Sequence, residues 1–195
     1  MKLYIYFFLI LGLCTLLSCV GVTHPVVIIK TDLGEIEVEI YHDRAPVTTA
    51  NFLRYVDAGL YKDGSFYRTV TPDNDTNPVD IEVIQGGTRW NSEVRGKGFP
   101  AIKHETTNVT KVIHLDGTIS MARSEPGTAS SEFFICIGDQ PELDYEGSRN
   151  KDGKGFSAFG RVIKGMDVVR NIHRQPAEGQ TLNPLVMILE VVRKE

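Results

Sequence analysis

The chain has 195 residues, 42% hydrophobic and 24% charged, an ordinary globular composition for a length that one core can organise. Its 21 Lys and Arg stand against 25 Asp and Glu, a formal charge of −4, and no basic run exceeds a dipeptide. Binding to nucleic acid, which needs cations clustered against phosphates, is not expected from that balance.

The first nineteen residues, MKLYIYFFLILGLCTLLSC, carry one Lys and then an almost unbroken apolar stretch that stops at Leu16-Leu17-Ser18-Cys19. Such a stretch followed by small residues is expected to be a secretory signal. Its last four residues resemble the bacterial lipobox, in which the cysteine receives diacylglycerol and becomes the new N-terminus. Residues 1–18 are therefore expected to be removed, Cys19 to be the lipidated residue, 19–25 a short tether, and 26–195 the folded domain. An acyl chain contributes about 0.8 kcal/mol per buried CH₂, so more than one chain gives a stable anchor. The expected location is the bacterial cell envelope, facing the periplasm, with a membrane contact through the lipid. Loss of Lys2 leaves 20 basic and 25 acidic residues, a net of −5. Cys14 would leave with the signal and Cys19 would carry lipid, so Cys136 has no partner for an intramolecular disulfide.

After the tether, VVIIKT (26–31) and EIEVEIY (35–41) read as strands around Asp32-Leu33-Gly34, the second with Ile36, Val38 and Ile40 on one face. A loop holding Pro46 follows, and Thr48 or Thr49 is expected to cap a helix in which Phe52, Val56 and Leu60 recur four apart and Gly59 marks the stop. SFYRTV, IEVIQ, TISMA, EFFICI, FSAFGRVI and LVMILEVV complete eight strand candidates, with a second helix at GMDVVRNI. Eight short strands and two flanking helices predict a mainly β, closed antiparallel barrel with a side-chain-filled interior. The polar stretches 71–80 and 144–155 read as loops. The spacing of Asp73, Asp75 and Asn77 faintly matches a calcium loop but lacks its central Gly and final Glu.

Histidines at 24, 42, 104, 114 and 173 show no pair at metal-ligand spacing and no cysteine partner, so no metal is expected. Nucleophile-elbow, phosphate-loop and dinucleotide motifs are absent, so no cofactor is expected either. What remains is Arg68 in an aromatic strand, Gln85-Gly86-Gly87 ending another, and the adjacent Phe133 and Phe134. Neighbours on a strand point to opposite faces, so one of the two rings enters the core and the other faces outward.

FYR at 66–68, VIQGG at 83–87, SMAR at 120–123, EFFICI at 132–137 and FGRVIKGMDVV at 159–169 resemble, in that order, the motifs of cyclophilin-type peptidyl-prolyl cis–trans isomerases. The resemblance runs from about Val26 to Val192. It implies a cyclophilin-like barrel and isomerase activity on proline-containing polypeptides by a monomer. It also implies site residues: Arg68 as the catalytic arginine, with Val83, Gln85, Phe134 and Leu143 around the proline, and Ala122, Arg123 and Ser124 along the peptide rim. Phe133 would then be the core ring. Glu132 stands where the family has a substrate-contacting Gln, Glu142 where it has the indole that helps bind cyclosporin, and Glu82 and Phe156 where it has a pocket Phe and a His. Glu132, on the face of Phe134, is expected beside the groove, either as a substrate-contacting acid that pairs with Arg68 or Arg123 or as a solvated strand-edge acid without influence on substrate.

The residue types suit the chemistry. X–Pro rotation breaks no bond and faces a barrier of roughly 18–20 kcal/mol from amide resonance. A pocket for the ring and a guanidinium beside the twisted amide are therefore enough, with no nucleophile or cofactor. The alternative on the same fold is a non-catalytic proline-peptide-binding or chaperone module, which has no need of Arg68.

Overall fold

A computed structural model describes residues 23–89, 91 and 97–195 of the protein. The apolar stretch 1–18 and Cys19 lie outside the described residues, and among those described no helix is long and apolar enough to cross a membrane.

The strands are β1 (Val26–Thr31), β2 (Gly34–Ile40), β3 (Gly64–Val70), β4 (Val83–Gly87), β5 (Thr118–Met121), β6 (Phe133–Cys136), β7 (Ser157–Lys164), β8 (Ala177–Glu178) and β9 (Thr181–Arg193). Hydrogen bonding runs β1-β2-β7-β5-β6-β4-β3-β9, every pair antiparallel, and β9 returns to β1. Eight strands thus close into the expected barrel. The two-residue β8 lies outside it as a hairpin extension of β9.

Alternation explains what fills the interior. Ile36, Val38 and Ile40 of β2 have no exposed surface, and Phe66, Phe133 and Phe159 join them from β3, β6 and β7. Glu37, between the inward positions, is nonetheless buried under Lys164 at 3.1 Å and Lys194 at 2.6 Å.

Helix α1 (Pro46–Asp57) sends Phe52 into this cluster, 5.7 Å from the Phe133 ring and 5.0 Å from Phe159. The predicted cap at Thr48 or Thr49 is a correction: both threonines lie inside the helix, whose first residue is Pro46. Proline suits that position because its missing N–H would have no helical partner there. The free N–H groups of Val47 and Thr48 are met instead by the Glu105 carboxylate, at 3.2 and 2.7 Å, from 57 and more residues away. At the other end Gly59, at φ +65°, follows the last turn as expected. A single turn α2 (Thr107–Thr110) and a 3₁₀ turn (Pro141–Leu143) sit in the connections, and α3 (Met166–His173) packs Val169 and Ile172 against the core.

A second apolar cluster lies on the outer face of β4 and β6: Val70, Ile81, Val83, Phe134, Cys136 and Leu143, with Ala122 and Phe156 partly covered beside it. Phe133 and Phe134 therefore serve different clusters, as alternation requires.

Candidate active site

The site begins with a defect in β3. On a regular strand Arg68 would share the face of Phe66 and point into the barrel. In both of its pairings, however, β3 shifts register between these residues: Phe66 faces Gly86, yet Arg68 faces Gln85. One extra residue, Tyr67, is inserted. Such a bulge turns the following side chain to the opposite face. Phe66 thus stays in the core while Tyr67 and Arg68 both reach the outer face. Gly86 makes the close approach possible, because a Cβ there would lie 2.8 Å from the Phe66 ring.

Since Arg68 and Gln85 oppose each other across the ladder, their side chains meet: Nη1 of Arg68 donates to Gln85 Oε1 at 2.8 Å. The Gln85 amide in turn donates to the Tyr67 hydroxyl at 2.7 Å. On the other side Arg68 faces Thr181, and the preceding Gln180 accepts from Nε at 3.0 Å and from Nη2 at 2.8 Å. Three of the five guanidinium N–H groups are thereby held among the described residues, leaving one on each terminal nitrogen. Burial, and then the charge of Arg149, pull the Arg68 pKa below its ordinary value. The guanidinium nonetheless remains a cation.

Arg68 stands at the edge of a pocket of about 380 Å³ whose apolar lining comes from the outer cluster, with Val83, Phe134 and Leu143 each no more than 4% exposed. Phe134 is held on two sides. Phe156 meets it edge-on at 5.2 Å, and His114 stacks parallel to it at 5.9 Å. His114 is itself fixed between Asp144 at 2.7 Å on Nδ1 and Ser120 at 3.0 Å on Nε2. Burial lowers the His114 pKa, only partly offset by Asp144. The ring is therefore neutral near pH 7, with Nδ1–H donating to the carboxylate and the Ser120 hydroxyl donating to Nε2.

Of the residues expected from sequence, Arg68, Val83, Gln85, Ala122, Arg123, Phe134 and Leu143 meet around this pocket. Ser124 and Glu132 line an adjoining recess of about 180 Å³, which shares Gln85, Ala122 and Arg123 with it. The expected pairing of Glu132 with Arg68 or Arg123 is a correction. The Glu132 carboxylate accepts from the Thr88 N–H at 2.9 Å and the Ser131 hydroxyl at 3.0 Å. It lies over Gly87, at φ +150°, where a Cβ would come within 2.7 Å of it. Arg123 is occupied elsewhere: Asp152 receives it bidentately at 2.8 and 2.9 Å, Gly155 O accepts at 2.7 Å, and its guanidinium covers the Phe156 ring. Glu142 accepts from the Ser148 N–H at 2.8 Å, within its own loop.

Several contributors were not visible as such in the sequence. Ile81, 6% exposed, lines the pocket beside Glu82, which is turned away toward His173. The two polar loops are joined by Arg149 and Asp75 at 2.6 and 3.1 Å. Asp75 also accepts from the N–H groups of Asn77 and Ile81, so it is engaged by an arginine and its own loop's backbone. Gln180 has no signal but its place one residue before β9.

The comparisons with known proteins agree with this geometry. Residues 26–193 match the family model described as cyclophilin type peptidyl-prolyl cis–trans isomerase. A peptidyl-prolyl cis–trans isomerase of Acinetobacter baylyi is 34% identical over 162 residues, covering 83% of this chain and 78% of its own. Peptidyl-prolyl cis–trans isomerase A of Dickeya dadantii is 36% identical over 154 residues, 78% of this chain and 73% of its own. The crystal structure of a cyclophilin-type isomerase from Cryptosporidium parvum superposes with a TM-score of 0.70 at 22% identity, over 88% of this chain and 98% of that one. The same Cryptosporidium protein has also been solved in the presence of the dipeptide Ala-Pro. With the family model spanning the whole barrel and bulge-borne Arg68 set over an apolar pocket, the chain belongs to the cyclophilin-type peptidyl-prolyl cis–trans isomerases.

Proposed function

We propose that this protein catalyses cis–trans rotation about X–Pro bonds, with Arg68 and the Phe134 pocket as its working parts. The observation that carries the reading is the pairing of a fixed guanidinium, with an N–H left on each terminal nitrogen, and the apolar patch of Val83, Phe134 and Leu143 in the pocket beside it. A proline ring seated on Phe134 among Val83, Leu143 and Ile81 is held while the preceding residue turns. As the amide twists, resonance is lost and the proline nitrogen regains its lone pair. An Arg68 N–H directed at that nitrogen, or at the carbonyl dipole that changes with it, stabilises the twisted state more than either planar one. Gln85 and Gln180 keep the guanidinium from following the substrate. Ala122, Arg123 and Ser124 border the path of the peptide, and Glu132 shapes its outer recess through Thr88.

A protease-coupled assay that cleaves only the trans form of an X–Pro peptide tests this reading. Acceleration of the slow phase at catalytic protein concentration is expected. Saturable peptide binding without acceleration would instead support the binding-module alternative.

We also propose that the chain is a lipoprotein of the bacterial envelope, diacylated at Cys19 and acting as a monomer on exported polypeptides. The support is the apolar stretch ending at LLSC, its distance of seven residues from β1, and a groove formed within one chain. Intact-mass analysis of membrane-extracted protein should show loss of residues 1–18 and a lipid on Cys19. An unmodified Cys19 would end this proposal without touching the isomerase reading.

A further inference from the structure

Histidines 24 and 42 are eighteen residues apart in sequence, with no ligand spacing between them. The β1–β2 hairpin removes that separation. Its ladder pairs Val26 with Glu39, and the Ile40 N–H donates to Pro25 O, which sets His24 beside the turn that follows β2. There the His24 ring lies 5.0 Å from Tyr41 and 5.6 Å from His42, centre to centre. Its Nε2 is 2.8 Å from Asp43 Oδ1, and its Nδ1 is 3.7 Å from Glu39 Oε1. One ligand atom each from His24, His42 and Asp43 lies within 4.8 Å of the others.

We propose that His24, His42 and Asp43 bind a single divalent transition-metal ion of the zinc class. Two imidazoles and a carboxylate suit Zn²⁺ and its neighbours, whereas Mg²⁺ and Ca²⁺ take oxygen ligands alone. Metal–ligand bonds of about 2.0–2.2 Å require the donor atoms to stand a little over 3 Å apart. His42 and Asp43 are exposed, so their side chains have room to turn toward that spacing. Glu39 Oε1, 3.7 Å from His24 Nδ1, is too far for a hydrogen bond but adds a negative charge beside the ring. Asp43 and Glu39 bring two negative charges against the ion's two positive ones. The two nearby cations have other partners: Arg44 donates to the backbone carbonyls of Thr110 and Lys111, and Arg161, opposite Glu39 on β7, donates to Asp116 O. A water completes the coordination. None of these residues lines the isomerase pocket. The ion would fasten the segment entering β1 to the turn leaving β2, closing the rim of the barrel where the tether joins it.

The test is calorimetric titration of the purified full-length chain, free of any histidine tag, with Zn²⁺, and absorption spectroscopy with Co²⁺. One site per chain and tetrahedral Co²⁺ bands are expected. His24→Ala and His42→Ala should each weaken Zn²⁺ binding at least about tenfold, and Glu39→Gln less than either, as the loss of a nearby negative charge. His104→Ala should leave binding unchanged. Isomerase turnover and far-ultraviolet dichroism report that the variants remain folded. Failure of the wild-type chain to bind Zn²⁺ saturably, or binding undiminished by both His24→Ala and His42→Ala, would overturn the site.

Discussion

Replacing Arg68 by alanine removes the two N–H groups available to substrate and the three that tie it to Gln85 and Gln180. A hydrogen bond from a charged donor contributes about 1.5–3 kcal/mol. At about 1.36 kcal/mol per decade, loss of one such bond made only to the twisted amide slows turnover roughly 10- to 150-fold. The apolar pocket is untouched, so kcat should fall while KM changes little, the pattern of an interaction present only in the transition state. Gln85 and Gln180 are part-exposed and regain water, so the fold should hold. Arg68→Lys keeps the charge, but a single ammonium cannot reproduce the fork that engages both glutamine carbonyls, and it should recover only part of the rate. Gln180→Ala removes two of the three holding bonds and should lower kcat less than Arg68→Ala does, again with KM nearly constant. Michaelis analysis with a series of X–Pro peptides separates these effects. Equal kcat for Arg68→Ala and the parent, both folded, would refute the role given to the guanidinium.

The adjacent phenylalanines should respond differently. Phe133→Ala empties the centre of the barrel core and should cost about 3–5 kcal/mol of stability, read by denaturant unfolding, whereas Phe134→Ala should chiefly raise KM for proline peptides; matching losses of stability and binding in both variants would contradict their separate clusters. His114 has a folded-state pKa below its unfolded value, so the unfolded chain binds more protons and stability should be complete above about pH 6.5 and decline as pH falls below it. His114→Asn should flatten that decline in a melting series, and an unchanged slope would remove His114 as its source. Glu105→Ala leaves the Val47 and Thr48 N–H groups uncapped and should cost about 1–2 kcal/mol, while Glu105→Gln should retain part of the effect; no loss in either would mean that solvent caps α1 equally well.

Alternation made most of the barrel legible in the sequence. β2 declares its inward face through Ile36, Val38 and Ile40, and the FF pair announces two faces of β6. The same rule fails at Arg68, because one inserted residue reverses the face and nothing in SFYRTV marks the insertion. Resemblance to the family found Arg68 where periodicity would have sent it inward. Features that depend on distant partners were not legible locally. The α1 cap comes from Glu105, the second clamp on Arg68 from Gln180, and the junction of the two polar loops from Asp75 and Arg149. Glu132 shows the converse limit: sharing a face with Phe134 placed it near the groove, but a backbone N–H at Thr88 took the carboxylate before either arginine did.

The central claim is that the groove bounded by Arg68 and Phe134 interconverts the isomers it binds. Exchange NMR of an Ala-Pro peptide with a small fraction of the wild-type protein tests it directly. Cross-peaks between the cis and trans signals are expected, together with perturbed resonances of Phe134 and its neighbours. Perturbed protein resonances without cis–trans cross-peaks would contradict it.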